Sequence, residues 1–241
     1  MSEKMSYDEL VKRNRELEAA EVRWNHTKEK FDIQKKSYKV LMDISSNCIN
    51  IPLDDVESAI QSSLKAIGEF VSADRAYIFK YDFDKRIGIN RYEWCEKGIE
   101  PQIHNLQQSP IDAFPEWVAS HRQGDPVVIN MISDLVPGQM KKILEEQQIQ
   151  SLLSVPMFED ESLVGFSGFD SVRKPHNYTQ NEIDIIRIFG KIIVSLNLRS
   201  NRDKERKQII ADLQDAVDNI KTLSGLLPIC AKCKKIRDDK G

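Results

Sequence analysis

Residues 151–172 read SLLSVPMFEDESLVGFSGFDSV. Two strand-like runs, SLLSVPM (151–157) and LVGFSGFDSV (163–172), flank the acidic cluster FEDES around Asp160, which is the signature of a β-hairpin. Upstream, RAYIFKYD (75–82) and IGINRYEW (87–94) repeat the pattern across a turn around Asp84, and PVVIN (126–130) adds a further strand. Short helical stretches, FPEWVASHR (114–122) and GQMKKILEEQQ (138–148), lie between these pairs. Ahead of the first strand, LDDVESAIQSSLKAIGEFV (53–71) puts Leu53, Val56, Ile60, Leu64 and Ile67 on one helical face, with Asp54 and Asp55 at the positive end of the helix dipole. Strands paired in hairpins and interrupted by helices predict an α+β fold with a largely antiparallel sheet.

Both ends of the chain read as long helices. In the N-terminal one, Leu10, Leu17, Trp24, Phe31 and Tyr38 recur at seven-residue spacing without proline. The intervening positions Arg13, Ala20, Thr27, Gln34 and Leu41 are mostly polar or small, so the seam is weaker than a zipper. Val11, Val22, Ile33 and Ile44 widen the apolar face. The closing helix starts after Thr179, an N-cap residue with Glu182 three positions on, which is a capping box. With Phe189 at position a, Leu196, Asp203, Ile210, Val217 and Ser224 follow at a, and Ile192, Arg199, Arg206, Leu213, Ile220 and Leu227 at d. That phase runs unbroken through RSNRDKERK, which predicts a continuous helix entering a homodimeric coiled coil.

The 241 residues carry 35 Lys and Arg against 38 Asp and Glu, a net charge of -3, so no global field recruits nucleic acid or an anionic membrane. No apolar run approaches the roughly 18 residues of a membrane span, and the charged N-terminus is no signal peptide, which predicts a cytoplasmic protein. Cys48 and Cys95 stand alone, as reduced thiols do.

The segments DRAYIFKYD, YEWCEKGIEPQI, FPEWVASHRQGDPVVIN, QQIQSLLSVPMFEDESLVGFSGFDSVR and NEIDIIRIFGKIIVSLNLR together resemble the GAF domains of bacterial signalling proteins, those attached to histidine kinases and diguanylate cyclases in particular. The resemblance implies a six-stranded antiparallel sheet with helices on one face, packing as a dimer through the terminal helices, and a small-molecule pocket on the other face. The resemblance covers 50–198 (GAF sensory domain); the helix periodicity adds 1–48 (N-terminal helix) and 199–227 (coiled-coil signalling helix), and the Cys-x-x-Cys stretch 228–241 reads as an incomplete knuckle. Departures from the family narrow the ligand. FEDE near Glu159 lacks the Asn-Lys of cyclic-nucleotide-binding relatives, and Cys95 is followed by Glu96 where bilin-bearing relatives have His, so neither a cyclic nucleotide nor a bilin is expected. The free methionine sulfoxide reductases of this fold use neighbouring cysteines, whereas only Cys48 and Cys95 fall in the matching region.

No phosphate loop, His-Glu-x-x-His or Gly-x-Ser-x-Gly motif occurs, and kinase and cyclase motifs are missing, so catalysis is not expected. His26, His104, His121 and His176 are scattered singly, and a haem on His104 or His121 is disfavoured. The candidate ligand-binding residues are Tyr92 and Trp94, two apart on one strand, Ile103 in the following loop, Phe114 and Trp117 as an aromatic lid, and Asp170 and Arg173 as polar groups, Arg173 being suited to an anion or zwitterion. Two further readings compete with a sensory module: a thiol-based redox sensor or enzyme using Cys95, and a zinc-dependent interaction protein using Cys230 and Cys233. GLLPICAKCKKIRDDKG resembles the start of a C-terminal module of bacterial sensor and response-regulator proteins whose second knuckle is missing here. The expectation is a truncated chain. The alternative is one zinc shared by the Cys230 and Cys233 pairs of two parallel helices, with Pro228 ending the coiled coil.

Overall fold

The computed structural model describes residues 7–49, 51, 52 and 55–226. The readings made on Leu53, Asp54, Leu227, Pro228, Cys230 and Cys233 lie outside the described residues. The chain runs α1 (Tyr7–Ile49), α2 (Val56–Val71), β1 (Arg75–Asp82), β2 (Ile87–Cys95), β3 (Ser109–Pro110), α3 (Pro115–Gln123), β4 (Val127–Ile129), α4 (Gln139–Glu146), β5 (Ser151–Glu159), β6 (Ser162–Ser171) and α5 (Gln180–Leu226). The strands form one sheet in the order β3-β2-β1-β6-β5-β4, with every neighbouring pair antiparallel.

The hairpin read at 151–172 forms as β5 and β6, with Glu159 opposite Ser162 and Asp160 taking the left-handed φ of 51° that the short turn requires. β6 then pairs with β1 at the centre of the sheet, Arg75 opposite Asp170 and Phe79 opposite Phe166. Because helices cover one face and loops with α3 and α4 cover the other, β1 is buried on both sides; RAYIFKYD therefore has no apolar–polar alternation. β3 is only two residues long, too short to leave a period in the sequence, and it completes the six strands that the resemblance implies.

One face carries the main core. Ile60, Leu64 and Ile67 of α2 and Ile186, Phe189 and Ile193 of α5 are fully buried against Ala76, Ile78, Leu153, Val155 and Phe169 of the strands. Gly68 lets the ring of Trp94 approach α2; a Cβ there would stand 2.5 Å from the indole. At the start of α5 the capping box forms reciprocally: Thr179 N donates to Glu182 Oε2 (2.7 Å) and Glu182 N donates to Thr179 Oγ1 (3.3 Å).

The C-terminal third of α1 joins this layer through Leu41, Ile44 and Cys48. Asn181 Nδ2 donates to Ser37 Oγ and Arg199 donates to the Ile49 carbonyl, so α1 and α5 run side by side in the same direction. Their free portions consequently leave the domain at opposite ends. At 1.5 Å per residue each extends some tens of ångströms. Leu10, Leu17, Trp24, Phe31 and Tyr38 are all more than half exposed on α1, as are Leu213 and Ile220 on α5. The heptad positions Phe189 and Leu196, by contrast, are buried within the domain core.

Candidate functional site

On the sheet face opposite the helices lies a cavity of about 230 Å³. Its floor is the outward row of β1, Arg75, Tyr77, Phe79 and Tyr81, flanked by Asn90 and Glu93 of β2 and by Phe166 and Asp170 of β6. Its lid is the segment around Leu106–Ile111, with Phe114 at the N-cap of α3, Trp117 of α3 and Leu144 of α4. A β-bulge in β2 sets which side chains face it. Ile78 pairs with Tyr92 but Phe79 pairs with Asn90, so Arg91 is the extra residue, and Asn90 and Glu93 both reach the cavity.

That bulge also places Tyr92 and Trp94. Both lie on one face of β2, as their spacing predicts, but it is the helix face: they pack on the main core and do not line the cavity. Ile103 sits in the loop, where its backbone N–H donates to Glu93 Oε2 (2.9 Å). Arg173 is exposed beyond the end of β6 and pairs with Asp74 (3.4 Å), away from the cavity lining. Phe114, Trp117 and Asp170 do line it, Phe114 and Trp117 meeting edge to face at 5.8 Å. Arg75, Asn90 and Glu93 line the cavity and are not among the candidates read from the sequence; the signal available was three charged or amide side chains inside runs read as strands.

The cavity has an apolar end and a polar end. At the apolar end Phe79 and Phe166 stack at 4.7 Å, and Trp117 stands edge-on to Phe166 at 5.9 Å. At the polar end Arg75, only 2% exposed, donates from Nη1 to Asp170 Oδ2 (3.0 Å) and from Nη2 to the Glu100 carbonyl (3.2 Å), while its Nε lies 3.7 Å from Glu93 Oε1. Burial pushes the Asp170 carboxyl up to about 6, with Arg75 opposing that shift. Glu93 Oε2 accepts from the backbone N–H groups of Gln102 and Ile103, which ties the lid to the floor.

Among the described residues, Arg75 Nε, Asn90 Oδ1, Ser109 Oγ, Trp117 Nε1, Ser167 Oγ and Asp170 Oδ1 are buried without a hydrogen-bond partner. All but Ser167 belong to residues lining the cavity. Each such atom costs on the order of 1–3 kcal/mol unless something fills the space and pairs with it.

Behind the apolar end His121 is fully buried, its Nδ1 2.9 Å from Tyr81 Oη and its Nε2 3.0 Å from Ser154 Oγ. Burial pushes it down to about 4, so it is neutral at pH 7. With both ring nitrogens engaged, His121 has no lone pair free for a haem iron, and His104 lies exposed in the lid loop. The Cys95 thiol is pushed up to about 11, chiefly by burial and then by Glu93, which keeps it protonated and poorly nucleophilic. Among the described residues no group of three or more His, Cys, Asp or Glu is arranged to hold a metal ion, and no helix is long and apolar enough to cross a membrane.

The model of the GAF domain matches residues 54–195. The methanogenesis regulatory histidine kinase FilI of Methanothrix harundinacea is 32% identical over 174 residues, which are 69% of this chain and 19% of that kinase; the chain thus spans about a fifth of the length of the relative it matches. The GAF domain of a phosphoenolpyruvate-protein phosphotransferase from Coxiella burnetii shares the fold with a TM-score of 0.58 at 14% identity, over 71% of this chain and 98% of that one. A phycoerythrobilin-bound GAF domain from a cyanobacterial phytochrome superposes with a TM-score of 0.60 at 14% identity, over 69% and 96% of the two chains. The fold is therefore shared with a domain that holds a bilin, and the exclusion of a bilin on the Cys95–Glu96 pair gains no support from it.

Proposed function

The chain belongs to the GAF domain family, and from that premise we propose that it is a non-catalytic sensory and dimerisation module of signal transduction. A small molecule binds in the cavity, and the change passes along α5 to an output domain or protein. The observation that carries this reading is the cluster of unpaired, buried polar atoms around a cavity whose other walls are apolar. Likeness to a regulatory histidine kinase supports a signalling role, with a kinase or a comparable protein as the downstream partner.

The relay has a physical path. β6 carries Asp170 and Phe166 on its cavity side and Phe169 on its helix side, where Phe169 packs in the core that α5 completes through Phe189. A shift of β6 on ligand binding is thus felt by α5, which continues out of the domain. The exposed apolar residues Ile210, Leu213, Val217 and Ile220 keep the heptad phase, and a second copy of the chain is the partner that would cover them. Zinc on Cys230 and Cys233 of two such chains is consistent with a parallel pair and remains part of this proposal.

Native mass spectrometry of protein purified from its source tests both halves, since it reports subunit number and any retained small molecule together. A dimer with added mass is expected. The double variant Ile210→Glu, Val217→Glu should give a folded monomer, because neither side chain is buried within the chain. An undiminished dimer in that variant would remove α5 as the dimer seam.

A further inference from the structure

Beyond the existence of a ligand, the polar end of the cavity carries information on its charge. Among the described residues that line the cavity, Arg75 alone carries a guanidinium or ammonium, and it faces two carboxylates, Asp170 at 3.0 Å and Glu93 at 3.7 Å. Arg75 is already more than neutralised, so an anionic ligand would meet a net negative wall. Of the unpaired atoms at this end the one donor, Arg75 Nε, already faces Glu93 Oε1 at 3.7 Å, and the remaining two are acceptors. Asp170 Oδ1 is a carboxylate oxygen that Arg75 does not engage; the Tyr77 hydroxyl stands near enough to oppose the upward shift of this carboxyl without completing a hydrogen bond to Oδ1, and Asp170 is 3% exposed. Asn90, 1% exposed, directs Nδ2 toward Glu93 Oε1 (3.4 Å); an ionised carboxylate only accepts, which fixes the amide and leaves its oxygen as the free end. Two acceptors without donors thus stand at either side of the Arg75–Glu93 pair. Across the cavity, on the lid, Trp117 Nε1 is a donor without an acceptor, and Ser109 Oγ is free to serve as either.

We propose that the cavity takes an organic cation: an amine whose ammonium group pairs with Asp170, whose aromatic or apolar body lies against Phe79, Phe166 and Trp117, and whose far end bears a hydrogen-bond acceptor for the lid. Asn90 Oδ1 supplies a second acceptor along the wall. A volume of about 230 Å³ lies below the 300–1,000 Å³ common for drug-sized ligands, which restricts the amine to a single ring or a short chain. This inference rests on the reading of the cavity as the sensory site.

The test uses the full chain and three probes of one shape: tyramine, its neutral alcohol analogue tyrosol, and the anionic 3-(4-hydroxyphenyl)propanoate. Isothermal titration at neutral pH should rank tyramine at least about tenfold tighter than either match. Asp170→Asn keeps the shape and removes the charge, so it should lower tyramine affinity about tenfold or more while leaving that of tyrosol unchanged; thermal unfolding checks that the variant is folded. If the variant does not fold, the ranking on the unaltered chain decides alone. Equal or tighter binding of the alcohol or the acid overturns the cationic assignment and leaves the sensory cavity standing. Absence of binding by all three up to about 10 mM also overturns the assignment. In that event the mass of source-purified protein separates the two readings: a retained small molecule keeps the cavity as a ligand site, and its absence removes that too.

Discussion

On the helix face of the sheet, Ile186, Phe189 and Ile193 are buried completely among other hydrocarbon groups, whereas on the opposite face Arg75, Asn90 and Asp170 are buried almost as completely and each leaves a polar atom without a partner. The same strands supply both faces, one side chain up and the next down. Burial alone therefore says nothing about role. A filled apolar layer lowers the free energy of the fold, and a buried polar layer with gaps raises it unless a guest completes it. With the proposed sensory reading, the difference gives stability to one face and recognition to the other, and it can be tested by the size of the response to substitution.

The largest effect is expected at Phe189. Its ring is fully buried in the main core between α5 and the sheet, and Phe189→Ala removes that packing and leaves a void. A loss of about 3–5 kcal/mol is expected from the denaturant midpoint, with ligand affinity falling only as far as the folded population does. A cost under about 1 kcal/mol would mean that the helix layer does not carry the stability assigned to it.

Next in size is a pH effect from behind the cavity. His121 ordinarily titrates near 6.5 and is held at about 4 by burial. Between these values the unfolded chain binds a proton that the folded chain refuses, so this group's contribution to stability is complete above pH 6.5 and is lost as pH falls toward 4. Asp170 acts oppositely: raised from 3.8 to about 6, it takes up a proton in the folded chain first, so its contribution grows as pH falls through that window and is lost as pH rises through 6. Comparing the chain with His121→Gln isolates the histidine. The unaltered chain should lose about 3 kcal/mol more than the variant between pH 7 and 4. Parallel stability curves would show that His121 is not held neutral.

Gly68→Ala probes the helix face at a point of close approach. The added Cβ would fall 2.5 Å from the Trp94 ring and 3.3 Å from the Ala76 Cβ, forcing the indole outward. A loss of about 1–3 kcal/mol is expected in thermal or chemical unfolding, and no change at all would contradict the placement of Trp94 on this face.

How much of this was legible in the sequence follows from which signals are periodic. The hairpin 151–172, the helix face of Ile60, Leu64 and Ile67 and the capping box at Thr179 and Glu182 are local patterns, and each formed where it was read. The choice between the two faces of β2 was not local. Period-two alternation correctly puts Tyr92 and Trp94 together, but which side faces α2 depends on the strand's pairing with β1 and on the extra residue Arg91. Arg173 was misplaced for a related reason: β6 ends at Ser171, so the arginine that β1 brings to the cavity is Arg75, nearly a hundred residues earlier in the chain. Phe114 and Trp117 reached the lid because aromatic residues on a short helix have few other places to bury.

The smallest effect on stability is expected at Gly88, and it separates the faces most sharply. Gly88 lies on the cavity side of β2, opposite Tyr81, where an added Cβ would meet only Phe79 at 3.6 Å and the Ser109 carbonyl at 3.8 Å, both ordinary contacts. Its backbone has no positive φ to lose. Gly88→Ala should therefore leave stability unchanged or raise it by up to about 1 kcal/mol, because alanine restricts the unfolded chain more than glycine does. The same methyl group takes space from a cavity of about 230 Å³, so affinity for whatever occupies it should fall even as the melting temperature holds. Gly68 and Gly88 are thus the same substitution on two faces: one expected to cost stability through contact with Trp94, the other to cost binding through lost volume. Melting and titration of the two variants side by side check this. If Gly88→Ala destabilises the fold as much as Gly68→Ala, the cavity wall is packed core, and the division of labour between the faces fails.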